Sequence, residues 1–153
     1  MFPELNLPQA SLSITQKEGK YYVFDQWRKK RLLLTPEEWV RQHLLHYFVN
    51  HLDYPIGLIA SEQSIQVNSL ARRCDGVVYG KDGFPKMIIE CKAPEIKLTA
   101  EIFMQIAQYN SVLQVDFLVL SNGIQHIIAR INREPARIDY LEQFPSYAQI
   151  DGN

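Results

Sequence analysis

The sequence predicts an α/β domain, a mixed β-sheet flanked by helices, in the order helix, three strands, helix, two strands. Three observations carry that prediction. A helix start of unusual strength stands at Thr35-Pro36-Glu37-Glu38. Three strand-like runs follow between Leu58 and Lys92. A second helical pattern over 99–113 then leads into the continuous apolar run Val115–Leu120. The length, 153 residues, suits one domain built on one core.

Residues 1–20, rich in Pro, Ser, Gln and Lys, show no sustained period and read as an extended arm, with a single domain over 21–153. Tyr21–Asp25 reads as a short strand and Leu32–Leu34 as its hairpin partner, separated by the basic run Arg28-Lys29-Lys30-Arg31. Thr35 is placed to cap a helix, Pro36 fits its first position, and Glu38 completes a Thr-x-x-Glu capping box. Trp39, Val40, Leu44, Leu45, Phe48 and Val49 recur at helical spacing, and the helix should stop before Pro55-Ile56-Gly57. Strands are expected at 58–67, 73–79 and 87–92, the last two joined by turn chemistry at Gly80-Lys81-Asp82-Gly83. The run Met87-Ile88-Ile89 is apolar on both faces, as a central strand requires. The turn Ser121-Asn122-Gly123 and a strand over 124–131 complete the sheet. The tail after Pro135 reads as irregular, with a short helix near Tyr140–Gln143.

Composition excludes several classes. The apolar and charged fractions, 46% and 22%, are those of a globular protein. No apolar run approaches the roughly 20 residues that span a bilayer, and Met1-Phe2-Pro3-Glu4 lacks a basic n-region and apolar h-region, so no membrane association and a cytoplasmic location are expected. Cys74 and Cys91 lie in strand-like runs without CxxC spacing and are expected as buried free thiols. The spacing of His43, His46 and His51 does not bring all three to one helix face, which argues against a zinc site. A net charge of −1 is low for a nucleic-acid binder, although local patches matter more than the total.

The chemistry centres on Asp75 and Glu90-Cys91-Lys92. Glu90 and Lys92 are two apart on one strand and share a face. Asp75, on the preceding strand of the hairpin, reaches the same end of the sheet. Two converging carboxylates and the backbone carbonyl of Cys91 suit a hard divalent cation, and Lys92 beside them can orient a water and stabilise phosphate charge. As a surface ion pair, Glu90 with Lys92 would be unremarkable. Here, however, the charges end an apolar central strand, where unpaired charge is costly. Gln105 and Tyr109 share one face of the second helix and are candidates to hold substrate or Lys92, with a polar helix edge as the plainer reading. Arg72 and Arg73 flank the site, where they can bind phosphate or pair with Asp75. Lys29 and Arg31 are candidates for phosphate contact.

Asp75, Glu90-x-Lys92 and the Gln105-x-x-x-Tyr109 helix together resemble the PD-(D/E)XK nuclease superfamily. Within it, Leu34-Thr35-Pro36-Glu37-Glu38-Trp39-Val40-Arg41-Gln42, Arg73–Tyr79, Ile89–Pro94 and Leu120–Gly123 are similar to the N-terminal nuclease domain of type I restriction endonuclease R subunits, over roughly Arg31 to Ile131. The resemblance implies a restriction-endonuclease-like core (α-β-β-β-α-β) and DNA cleavage dependent on Mg²⁺, with Mn²⁺ able to substitute. It also implies a further acid from the first helix. Glu38 is the candidate, in competition with its capping role, and Glu62 is another. No GxxxxGK[ST] phosphate loop is present, so a free-standing domain without translocation is expected, with a homodimer to serve two strands. The alternative is a catalytically inactive module of the same fold that binds DNA or a protein partner.

Overall fold

The computed structural model describes residues 2–67 and 70–152, with side chains throughout except those of 65–67, 70, 72 and 109–113. Its centre is a six-stranded sheet. A meander of β4 (Ile59–Val67), β5 (Leu70–Tyr79) and β6 (Pro85–Cys91) is followed by helix α2 (Ala100–Leu113), and then by β7 (Phe117–Ser121), β8 (His126–Arg133) and β9 (Ala136–Leu141). The strands lie in chain order across the sheet. Only β6 and β7 run parallel, and α2 is the crossover that a parallel pair requires. Thr99 starts α2, its hydroxyl accepting the Ile102 N–H at 3.2 Å.

Helix α1 (Pro36–His51) begins as the sequence predicts. Thr35 is extended and its Oγ1 accepts the Glu38 N–H at 3.0 Å, while Pro36 and two acids fill the first turn. The reciprocal half of the box does not form, because the Glu38 carboxylate turns inward to Arg41. On the sheet face toward α1, Val40, Leu44, Leu45 and Phe48 pack on Val78, Met87, Ile89, Cys91 and Val119. On the opposite face, Phe103 and Ile106 of α2 pack on Val77, Ile88, Leu118 and Leu120. Alternation along β6 thus feeds both layers, which is why the strand is apolar throughout. Each fully buried side chain of this set contributes about 1.5–3 kcal/mol. Gly76 sits under α1: a Cβ there would lie 3.3 Å from Ile89 Cβ and 3.4 Å from Leu45 Cδ2.

A second sheet of three antiparallel strands, β1 (Ile14–Lys17), β2 (Lys20–Asp25) and β3 (Lys30–Leu33), precedes α1. Its inner face reaches the helix through Val23, Leu34 and Trp39, with Leu12 and Leu32 alongside. Strand β1 falls in the stretch read as an extended arm. Its residues are all exposed, so no burial pattern marks it, and only pairing with β2 defines it. Upstream, Asn6 lies across the β7–β8 turn: its N–H donates to Gly123 O at 2.8 Å, its carbonyl is 3.2 Å from His126 Nε2, and Leu5 packs against Gly123 and the α1 core.

The tail departs from expectation. Ala136–Leu141 is an edge strand rather than irregular chain, and the short helix, α3 (Tyr147–Asp151), lies beyond the expected Tyr140–Gln143. Ser146 caps it in a complete capping box with Gln149. Tyr54 and Tyr147 anchor this end, donating to Pro145 O at 2.7 Å and Tyr79 O at 2.9 Å. Both cysteines are buried and free. No helix among the described residues is long and apolar enough to cross a membrane.

Candidate functional site

The site lies where β5 and β6 part. Their ladder ends at the pair Gly76↔Ile89, one residue short of Asp75 on β5 and of Glu90 on β6. On its other edge β6 continues along β7, with the Lys92 N–H donating to Ser121 O at 2.8 Å. Toward β5, the Cys91 N–H has lost its strand partner and donates instead to Asp75 Oδ2 at 2.7 Å. The Asp75 carboxylate is therefore fixed by the fork itself, and among the described residues Oδ1 has one long contact, Arg41 Nη1 at 3.4 Å.

Arg41 reaches this fork from α1 and organises the acids behind it. Its guanidinium meets Glu38 through two nitrogens and Glu62 through a third contact. Glu38 also receives Gln42 Nε2 at 2.9 Å and Arg28 Nη2 at 3.2 Å. Arg28 in turn binds Asp25, whose carboxylate is buried and closes the β2–β3 turn by accepting the Trp27 N–H at 2.8 Å. Burial opposes the charge on Arg41, but Glu38 and Glu62 outweigh it and raise the guanidinium above its ordinary range. Partial burial likewise works against the Glu62 carboxylate, yet Arg41 and Arg73 hold it below the usual range. Glu38 and Glu62 are thus committed to arginines. Glu62 has a positive φ of 54°, the irregularity that breaks β4 opposite Asp75 and aims this side chain at Arg41.

The acid that faces the fork from α1 is Glu37, which the sequence analysis passed over in favour of its neighbour. Its carboxyl is raised by partial burial first, then by repulsion from Asp75, with Glu62 adding to the rise and Lys92 and Arg41 opposing it. Two carboxylates that repel across a gap, with an ammonium beside them, are what a bound cation would relieve. Glu37 also lines a cleft of about 450 Å³ with Thr35, Glu38, Arg41, Glu62 and Glu95. Among the described residues no three or more His, Cys, Asp or Glu side chains form a ready-made metal cluster. The donor set at the fork is nonetheless carboxylate oxygen, the chemistry of a hard cation such as Mg²⁺.

The remaining candidates fall as follows. Lys92 is half-buried beside the fork, and Glu90 is half-buried on β6. Arg73 pairs with Glu62 rather than with Asp75, since the break in β4 brings Glu62 to it. Gln105 is exposed on α2, whereas the side chains of Tyr109 and Arg72 lie outside the described residues. Lys29 is exposed in the β2–β3 turn with φ 57°. Arg31 donates to Ser13 O and Oγ at 3.1 and 3.0 Å. A phase signal for Glu37 did exist: successive helix positions are rotated by about 100°, so Glu37 and Glu38 cannot both face inward.

A family model described as the type I restriction enzyme R protein N terminus matches residues 36–145, that is 110 of the 153 residues. The match begins with α1 and ends in the segment before α3, leaving the three-stranded sheet outside it. A search of curated proteins gives no match.

Proposed function

This chain belongs to the type I restriction enzyme R protein N-terminal family, and from that premise we infer that it is a Mg²⁺-dependent, endonuclease-type domain that hydrolyses DNA phosphodiesters. The observation that carries the reading is the fork between β5 and β6, where Asp75 is locked by the Cys91 amide and shares its surroundings with Glu37 and Lys92.

In this reading Asp75 and Glu90 hold the ion with the Cys91 carbonyl, and Glu37 replaces Glu38 or Glu62 as the acid from outside the meander. When bound, Mg²⁺, or Mn²⁺ in its place, offsets the charge that builds on the scissile phosphate. Lys92 orients a water and takes part in its deprotonation. Gln105 and Tyr109 position the DNA, with Arg72 and Arg73 on its backbone. Arg41 is a positioning residue: it neutralises Glu38 and Glu62 so that the acids behind the fork do not repel those in it. A homodimer would supply a second site for the second strand, which analytical ultracentrifugation reads directly.

Cleavage of plasmid DNA with Mg²⁺ tests the proposal. Asp75→Ala and Lys92→Ala should each abolish cutting while the melting profile is retained. Cutting by both variants at the wild-type rate rules the reading out. One observation favours an inactive binding module instead, since Arg41 already stands as a cation among Glu38, Glu62 and Asp75. Calorimetry with Mn²⁺ separates the two readings, because a binding module of that kind shows no metal uptake that depends on Asp75.

A further inference from the structure

Charge is unevenly divided along this chain. Residues 1–35 hold six Lys and Arg against three Asp and Glu, which leaves ten against fourteen in the rest. The basic part is the three-stranded sheet, the element that lies outside the family match. One of its acids, Asp25, is buried and paired with Arg28, so it does not offset the surface charge.

The sheet has two unlike faces. Val23, with Leu32 opposite it, points to α1, and Tyr21 lies edge-on to Phe2 over Trp39. The outer face carries Tyr22 and Phe24, each only half-buried, beside the exposed Leu33 and Arg31. Tyr22 stands opposite Thr15 on one side and Leu33 on the other. Phe24 stands opposite Arg31, whose guanidinium lies 6.0 Å from the ring centroid. Lys17 and Lys20 pair at one end of the sheet, and Lys29 in the turn and Lys30 at the start of β3 stand at the other, all four exposed. Two aromatic rings in a row, spaced along a strand about 20 Å long and flanked by cations at both ends, match the needs of unpaired nucleotides: rings for the bases, ammonium groups for the phosphates.

We propose that the outer face of the N-terminal sheet is a binding platform for single-stranded DNA, with Tyr22 and Phe24 stacking on bases and Lys17, Lys20 and Arg31 contacting the backbone. The platform is joined to the fork through Arg28, which bridges Asp25 of the sheet and Glu38 of α1. The proposal adds a ligand-binding surface to the nuclease reading and stands apart from turnover, because neither ring nor lysine belongs to the fork.

Fluorescence anisotropy in EDTA tests it on the full chain, using labelled oligothymidine of about 12 nucleotides, within the site sizes of such platforms, and a hairpin duplex of matched length. The single strand should bind more tightly than the duplex. Tyr22→Thr and Phe24→Thr, which keep a strand-forming residue, should each weaken it about tenfold. Lys17→Gln with Lys20→Gln, both at exposed positions, should lower the slope of log affinity against log salt by about 0.7 per lysine, which keeps the test decisive even where a ring variant fails to fold. Lys81→Gln, which removes an exposed lysine of the β5–β6 turn, should bind as the wild type does. No binding, a preference for duplex, or an unchanged salt slope in the lysine variant overturns the platform. A wild type that binds in this way but never cuts with Mg²⁺ overturns only the nuclease reading.

Discussion

Replacing Arg41 by Met should be among the most destabilising single changes outside the apolar core. Met retains most of the apolar stem and removes the guanidinium. That group is 7% exposed and its main partner Glu38 is 5% exposed, so solvent screens neither. Removing one partner of a buried pair costs about 3–5 kcal/mol because it strands the other charge. Glu38 keeps Arg28 and Gln42, which places the expected loss near the lower end, about 3 kcal/mol. For a chain of this length that corresponds to a fall of about 6–12 °C in Tm. Urea denaturation of Arg41→Met, Glu38→Gln and the double variant forms a cycle in which the second change should recover at least about 1 kcal/mol, since it removes the stranded charge. A loss below about 1 kcal/mol for Arg41→Met, or strict additivity in the cycle, would refute the view that this ion cluster is a coupled unit.

Three further outcomes are expected. Because burial first and Asp75 second raise the Glu37 carboxyl, its charge costs the fold stability once pH rises past the ordinary carboxyl value of 4.5. Glu37→Gln should therefore melt no lower than wild type without metal and show a smaller Mg²⁺-induced rise in Tm, and a rise equal to wild type would remove Glu37 from the site. His43 and His46 are both lowered from 6.5, chiefly by burial, with Asp25 drawing His46 the other way. Their neutral forms support the fold above the unfolded value, so Tm should fall as pH drops below about 6.5, and the fall should be shallower in His46→Gln. Gly76→Ala should cost about 1–3 kcal/mol by pressing Leu45 and Ile89 apart, measured by chemical denaturation.

Much of the architecture was legible because its signals are local. Thr35, Pro36 and the acids after them fix where α1 starts, and the apolar run Met87-Ile88-Ile89 marks the central strand. The elements that escaped lack such signals. In β9, Arg137, Asp139 and Tyr140 give a surface-like pattern suited to an edge strand, and β1 buries nothing at all. Asp75, Glu90 and Lys92 were singled out by their strand spacing, whereas Glu37, the acid of α1 that Asp75 repels, was not. The phase of a helix against a sheet depends on tertiary packing. Here α1 buries Glu38, Arg41, Gln42, His43 and His46 as well as its apolar stripe, because the N-terminal sheet covers its second side. No periodicity of apolar residues announces a helix wrapped on two sides. Nor did the sequence mark the break at Glu62, which depends on a single backbone conformation.

The lashing of Asn6 to Gly123 sets a schedule for the newborn chain. At about 5–20 residues per second, roughly 6–23 s separate the synthesis of these two partners. Throughout that interval Leu5 has no Gly123 to settle on, and Val40 waits for a six-stranded sheet that is still being made. The greasy early stretch is thus exposed to other chains at the moment when it is least able to shield itself. Yield in a host should accordingly respond more to chaperone supply and growth temperature than to changes in the finished core.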